Sequence, residues 1–159
     1  MEKYKLERVL NNIVGEAIVK EVMNLNLAKA LIAKIEEKAV EMGMRVVIAV
    51  SDASGRPIAV HCMDGAYHGS FDVALNKTYT STAFQMSTAK LAKLCQPGND
   101  LYGLQFSNDG KVMILGGGEP LMVGKTMIGA LGVSGGSAQQ DTELAAYGKT
   151  VLKEVIECL

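Results

Sequence analysis

The sequence predicts one small α+β domain, an antiparallel sheet carrying helices on both faces. Three observations predict it. Arg45–Val50 is a continuous, mostly β-branched run, which reads as a strand buried on both faces. The stretch to the next candidate strand is four residues, Asp52–Gly55, too few for a parallel crossover, so this pair must be an antiparallel hairpin. Helical periodicities flank the strands instead of alternating with each one, which argues against a doubly wound parallel sheet.

The elements follow in order. Leu6, Val9, Leu10, Ile13, Val14, Ala17, Ile18 and Val22 recur at three- and four-residue steps, one apolar face of an N-terminal helix that Gly15 weakens without breaking. After a short polar break, Asn26 is expected to cap a second helix from Leu27 to about Met42, closed by Gly43. The hairpin comes next, its second strand running from Pro57 to Met63. Ser70 is expected to cap a helix to about Met86. Ser87 caps a shorter one that ends before Pro97. Short strands are predicted near Gln105–Ser107, Val112–Leu115 and Leu121–Val123, with Asn108–Gly110 as a turn. Thr126–Val133 is the last strand. Ser137 and Gln140 form a capping box that opens a final helix to near Cys158. Six runs thus read as strands, and the sheet expected from them is a five-stranded antiparallel one.

Composition narrows the function. At 159 residues, 48% hydrophobic and 21% charged, the chain suits one domain with a real core. A net charge of −1 with interspersed signs leaves no basic stripe for nucleic acid. No apolar run is long enough to span a membrane, and the charged N-terminus does not read as an export signal. Cys62, Cys95 and Cys158 are odd in number and far apart, which fits a reducing compartment, so a cytoplasmic protein is expected. The nine methionines are core filler or, alternatively, a soft binding surface.

Few residues are candidates for chemistry. His68 lies in the loop Asp64–Gly69 and is either an ordinary exposed histidine or one free to swing toward a haem iron. His61 lies within a strand and reads as structural. Two glycine clusters, Gly116–Gly118 and Gly132–Gly136, match no nucleotide-binding fingerprint. The second precedes a helix, where Ser134, Gly135 and Gly136 either make a tight turn or hold a carboxylate or phosphate. No nucleophile elbow or zinc-protease motif is present. Lys77 and Asp141 could work beside the glycine turns only if the fold brings them together.

Several segments, read in order, resemble the GlcG/HbpS-like haem-binding family, which also forms the C-terminal part of PduO-type proteins. They include residues 47–55, 63–66, 70–77, 96–98, 101–104, 116–120, 128–136 and 140–141, within a span of about 25–157. The resemblance implies a profilin-like three-layer α/β/α domain over 25–159, with residues 1–24 outside it as an extra amphipathic helix. It also implies a homo-oligomer that binds a tetrapyrrole, haem or alternatively a corrinoid. An apolar slot would then draw on Met63, with His68 as axial ligand to the haem iron and Ser134, Gly135 and Gly136 holding the carboxylates. Residues 1–24 resemble helices that carry cargo into bacterial microcompartments by binding a shell protein; packing in an oligomer interface is the other reading. An accessory protein is expected more than a classical enzyme. The alternatives are an enzyme acting on a small oxygenated metabolite such as glycolate, and a ligand-free cargo protein.

Overall fold

The structure is a computed structural model that describes residues 22–159. The helix predicted over 6–22 lies, up to its last residue, outside them. Helix α1 (Leu25–Glu41) is followed by strands β1 (Val47–Asp52) and β2 (Pro57–Cys62), then helices α2 (Ser70–Phe84) and α3 (Thr88–Leu94). Strands β3 (Gly118–Val123) and β4 (Thr126–Ser134) and helix α4 (Ala138–Glu157) complete the order.

All strand pairs are antiparallel, and the sheet runs β2-β1-β4-β3 with β1 and β4 central. Strand β1 is buried along almost its whole length because each face lies under a helix layer. On one face Val46, Ile48, Val50, Leu121, Leu131 and Val133 pack against α1 and α4 through Leu31, Ile35, Leu144 and Leu152. This is the main apolar core. The opposite face is built differently. Val47 and Ala49 meet Ala74 of α2, and the other buried residues of that helix are Ser70, Lys77, Thr78, Thr80, Ser81 and Thr82. Small side chains let α2 lie almost on the sheet. A Cβ added at Gly132 would overlap the Ala74 carbonyl, so only glycine fits there.

The caps fix where the helices begin and end. Asn24, not Asn26, caps α1: its Oδ1 accepts from the Leu27 N–H at 3.0 Å. Leu25 is therefore already helical although it faces solvent. Gly43 takes φ +69°, and the N–H groups of Gly43 and Met44 donate to the carbonyls of Val40 and Ala39, closing the helix. Ser70 does not cap α2. Gly69 holds the cap position with no side-chain bond, Ser70 is buried in the first turn, and the helix ends at Phe84 with Gln85 in the left-handed region. Ser87 and the Ser137–Gln140 capping box stand as predicted.

Among the described residues the sheet has four strands, not five. Residues 104–106 and 108–110 form short 3-10 turns, and 112–115 run without a strand partner. Asn108, Asp109 and Gly110 all take positive φ, as the predicted turn allows, but the runs on either side of it are held elsewhere. The Met113 N–H is met by Thr80 Oγ1 of α2 at 2.8 Å, and Val112 is buried beside Leu91 and Cys95 under α3. A side chain and a small satellite core replace the expected strand pairing. Among the described residues, no helix is long and apolar enough to cross a membrane.

Candidate functional site

The two glycine clusters meet at one end of the sheet. Val47, where β1 begins, pairs with Cys62 of β2 on one side and Ser134 of β4 on the other. Just beyond, the Met63 N–H donates to the Val46 carbonyl at 3.1 Å, and Gly135 packs against Arg45 and Val46. The structure thus brings Met63 and the Ser134–Gly136 turn to opposite sides of residue 46.

Behind that turn lies a buried ion pair. Lys77 Nζ donates to Asp141 Oδ2 at 2.9 Å and to the Val133 carbonyl at 2.6 Å, although the two partners lie 64 positions apart. Their side chains are only 1% and 5% exposed. Burial pushes the Lys77 ammonium below its usual range, and the charge and hydrogen bond of Asp141 pull it part of the way back. Asp141 spends its other oxygen on the Gly136 N–H at 2.9 Å. Gly117 closes the far side: its carbonyl accepts from the Val133 N–H at 2.8 Å, and a Cβ there would lie 2.8 Å from Nζ. The helix N-terminus therefore already holds a carboxylate, supplied by its own first turns. The Ser137 N–H is likewise taken, by Gln140 Oε1 at 3.0 Å. Neither charged partner faces solvent, so the pair ties β4, α2 and α4 together.

His68 is placed differently. It is exposed in the loop between β2 and α2, where its carbonyl accepts from the Phe71 N–H. Its imidazole has no hydrogen-bond partner among the described residues. Tyr67, next to it in the chain, and Phe71, three positions on, are 75% and 42% exposed. Such a combination suits an axial ligand with a porphyrin face laid on aromatic rings. His61 is held by Glu36 of α1, Nδ1 to Oε1 at 2.9 Å. Among the described residues no three His, Cys, Asp or Glu side chains converge to hold a metal ion. The reading from sequence missed two things: Tyr67 and Phe71 as neighbours of His68, and Asp141 as the anchor of Gly136. Adjacency in the chain could have found the first, and an acid in the first turns after a glycine pair hints at the second.

An antiparallel sheet between two helix layers, with a glycine-bounded ion pair at one end and an exposed histidine loop beside it, defines a single-sheet α/β/α domain. Within that class the chain belongs to the family described as haem degrading protein HbpS-like, whose pattern matches residues 23–149. It is 40% identical over 123 residues to an uncharacterised 15.0 kDa protein of the dhaT-dhaS intergenic region of Citrobacter freundii, covering 77% of this chain and 87% of that one. It is 38% identical over 109 residues (69% of this chain) to the corrinoid adenosyltransferase PduO of Salmonella typhimurium, and spans only 32% of that protein's length.

Three solved structures share the fold. Klebsiella pneumoniae ORFY has a TM-score of 0.80 at 35% identity, covering 86% of this chain and 92% of that one. A PduOC:haem complex has 0.78 at 32%, covering 81% and 94%. A double mutant of Streptomyces reticuli HbpS has 0.73 at 26%, covering 82% and 87%.

Proposed function

We propose that this chain is a haem-binding accessory protein that works as a homo-oligomer, with His68 as axial ligand to the iron. The observation that carries the reading is the exposed His68, within three positions of the exposed Tyr67 and Phe71, in a chain 32% identical to the PduOC whose structure holds haem. Tyr67 and Phe71 are exposed, and a second copy laid over them would supply a wall for the haem. Met63 borders the same sheet end. The propionates would fall to groups of the Ser134–Gly136 turn that Asp141 and Gln140 leave free, the Ser134 hydroxyl and the Gly135 N–H. Haem, when bound, would supply the redox and ligand chemistry of its iron; the chain's part is to bind, orient and shield it.

A corrinoid is the competing ligand, favoured by the likeness to part of PduO. In that setting the protein would reside in the cytoplasm inside a propanediol-type microcompartment. Of residues 1–24, those before Met23, which packs in the core, and before the Asn24 cap would then be the part left to meet a shell protein. An enzyme using Lys77 and Asp141 is a weaker reading, because both are closed off from solvent.

The test is a set of spectra on the full chain. His68→Ala should shift or weaken the Soret band of the haem complex, and His61→Ala should leave it unchanged. An unchanged His68→Ala spectrum would remove the ligand assignment. Tighter binding of cobalamin than of haem would replace haem as the ligand. Sedimentation equilibrium at micromolar concentration should show at least a dimer, and a single-chain mass would contradict the oligomer.

A further inference from the structure

Residues 103–115 run from the end of the α3 region toward β3 as a strap beside α2. Among the described residues, no backbone–backbone hydrogen bond joins 105–115 to any residue outside the strap. Side chains of α2 hold it instead. Thr80 Oγ1 accepts from the Met113 N–H at 2.8 Å, its own hydrogen being spent within α2 on the Asn76 carbonyl at 2.7 Å. The Tyr79 hydroxyl accepts from Asn108 Nδ2 at 2.8 Å. Val112 packs on Leu91 and Cys95, with Leu104 and Ile114 beside it, in a small core separate from the main one. We infer that the strap is a lid that swings open as a unit on Gly103 and Gly117, uncovering Leu91 and Cys95 while the sheet and the main helices stay folded. The inference does not depend on haem.

The chain is anchored just outside each hinge. Before Gly103, Asn99 Nδ2 donates to the Lys93 carbonyl at 2.6 Å and the Leu101 N–H to the Leu94 carbonyl at 3.3 Å. At the other end the Gly117 carbonyl accepts from the Val133 N–H at 2.8 Å, and the Gly118 N–H donates to Thr88 Oγ1 at 2.9 Å. The hinges themselves take φ +92° and +113°, and a Cβ at Gly103 would meet nothing. The closed strap also carries its own penalties. Gln105 Oε1 is buried with no hydrogen-bond partner among the described residues, and opening returns it to water. Asn108 and Asp109 are successive non-glycine residues held in the left-handed region, at φ +52° and +56°, which an open loop need not keep. Phe106 and Leu115 are exposed already, so opening sacrifices little of their burial. A segment with few buried apolar contacts and no ladder opens at a lower free energy than the whole domain unfolds.

The Cys95 thiol, buried under the strap, reports the opening. In a full chain carrying Cys62→Ser and Cys158→Ser it is the one thiol left. Its labelling by an aromatic disulfide is followed in urea below the unfolding transition, alongside amide exchange. Labelling should run at least about a hundredfold faster than global unfolding permits, and depend only weakly on urea, because a small surface is exposed. The Met113 amide should exchange with the same opening constant, and the Val133 amide far more slowly. Thr80→Val should speed labelling at least about fivefold relative to the unfolding equilibrium of the same variant. Gln105→Leu, which removes the orphaned acceptor, should slow it by a similar factor. Labelling that shows the full urea dependence of global unfolding throughout would overturn the inference. Cys95 labelling without exchange at Met113 would overturn it too, since the opening would then be fraying of α3. Unchanged labelling in both variants would do the same.

Discussion

Replacing Asp141 by Ala removes one half of a buried ion pair and leaves the other in place. The Lys77 ammonium, 1% exposed, would keep only the Val133 carbonyl, and the Gly136 N–H would lose its acceptor. Removing one partner of a buried pair costs about 3–5 kcal/mol, because an uncompensated charge remains. In a domain of this size that is a fall in melting temperature on the order of 10 °C. The chain has no Trp, so urea unfolding is best followed by far-ultraviolet circular dichroism at one fixed protein concentration.

The loss should also depend on pH in a definite direction. The folded Lys77 lies below its unfolded value of 10.5, so in the window between the two the unfolded chain binds more protons and stability rises with pH. Asp141 is what raises Lys77 against its burial, so in Asp141→Ala the folded value drops further and that window widens downward. The variant should therefore recover part of its deficit as pH rises toward 10.5, when Lys77 is neutral and no charge is left unpaired. A deficit below about 1 kcal/mol at pH 7, or one that does not shrink with rising pH, would refute the account of this pair.

Gly132→Ala should lower stability by at least about 2 kcal/mol in urea, because its methyl group would press on the Ala74 carbonyl and lift α2 from the sheet. A shift smaller than 0.5 kcal/mol, on the order of an ordinary surface change, would mean that α2 yields freely. Asn24→Ala should cost about 1 kcal/mol through loss of the α1 cap, and Asn26→Ala, exposed within that helix, close to nothing. Equal melting temperatures for the two would contradict the assigned cap. Ser137→Ala should cost about 1 kcal/mol by opening the capping box of α4, readable from the same melts.

How legible each part was in the sequence follows from the range of the forces involved. Strand β1 was plain because burial on both faces demands an unbroken β-branched run. The turn at Asp52 and the capping box at Ser137 were plain because their hydrogen bonds join residues at most four apart. Asn24 and Asn26 offered the same cap chemistry two positions apart, and only the packing of Leu27 and Ala28 decides between them. Residues 104–115 carry apolar side chains in short runs and so imitate strands. What sets them is Thr80, more than 30 positions away, together with the small core under α3. The site divides the same way. His68 was visible as a loop histidine, whereas the Lys77–Asp141 pair joins residues 64 apart and needed the fold.

The central claim is that this chain binds haem. Titrating purified full-length protein at micromolar concentration with haem tests it most directly. A shifted Soret band that saturates at a simple ratio of haem to chain is the predicted result. A spectrum that remains that of free haem, with no saturation when haem is in excess, would contradict it.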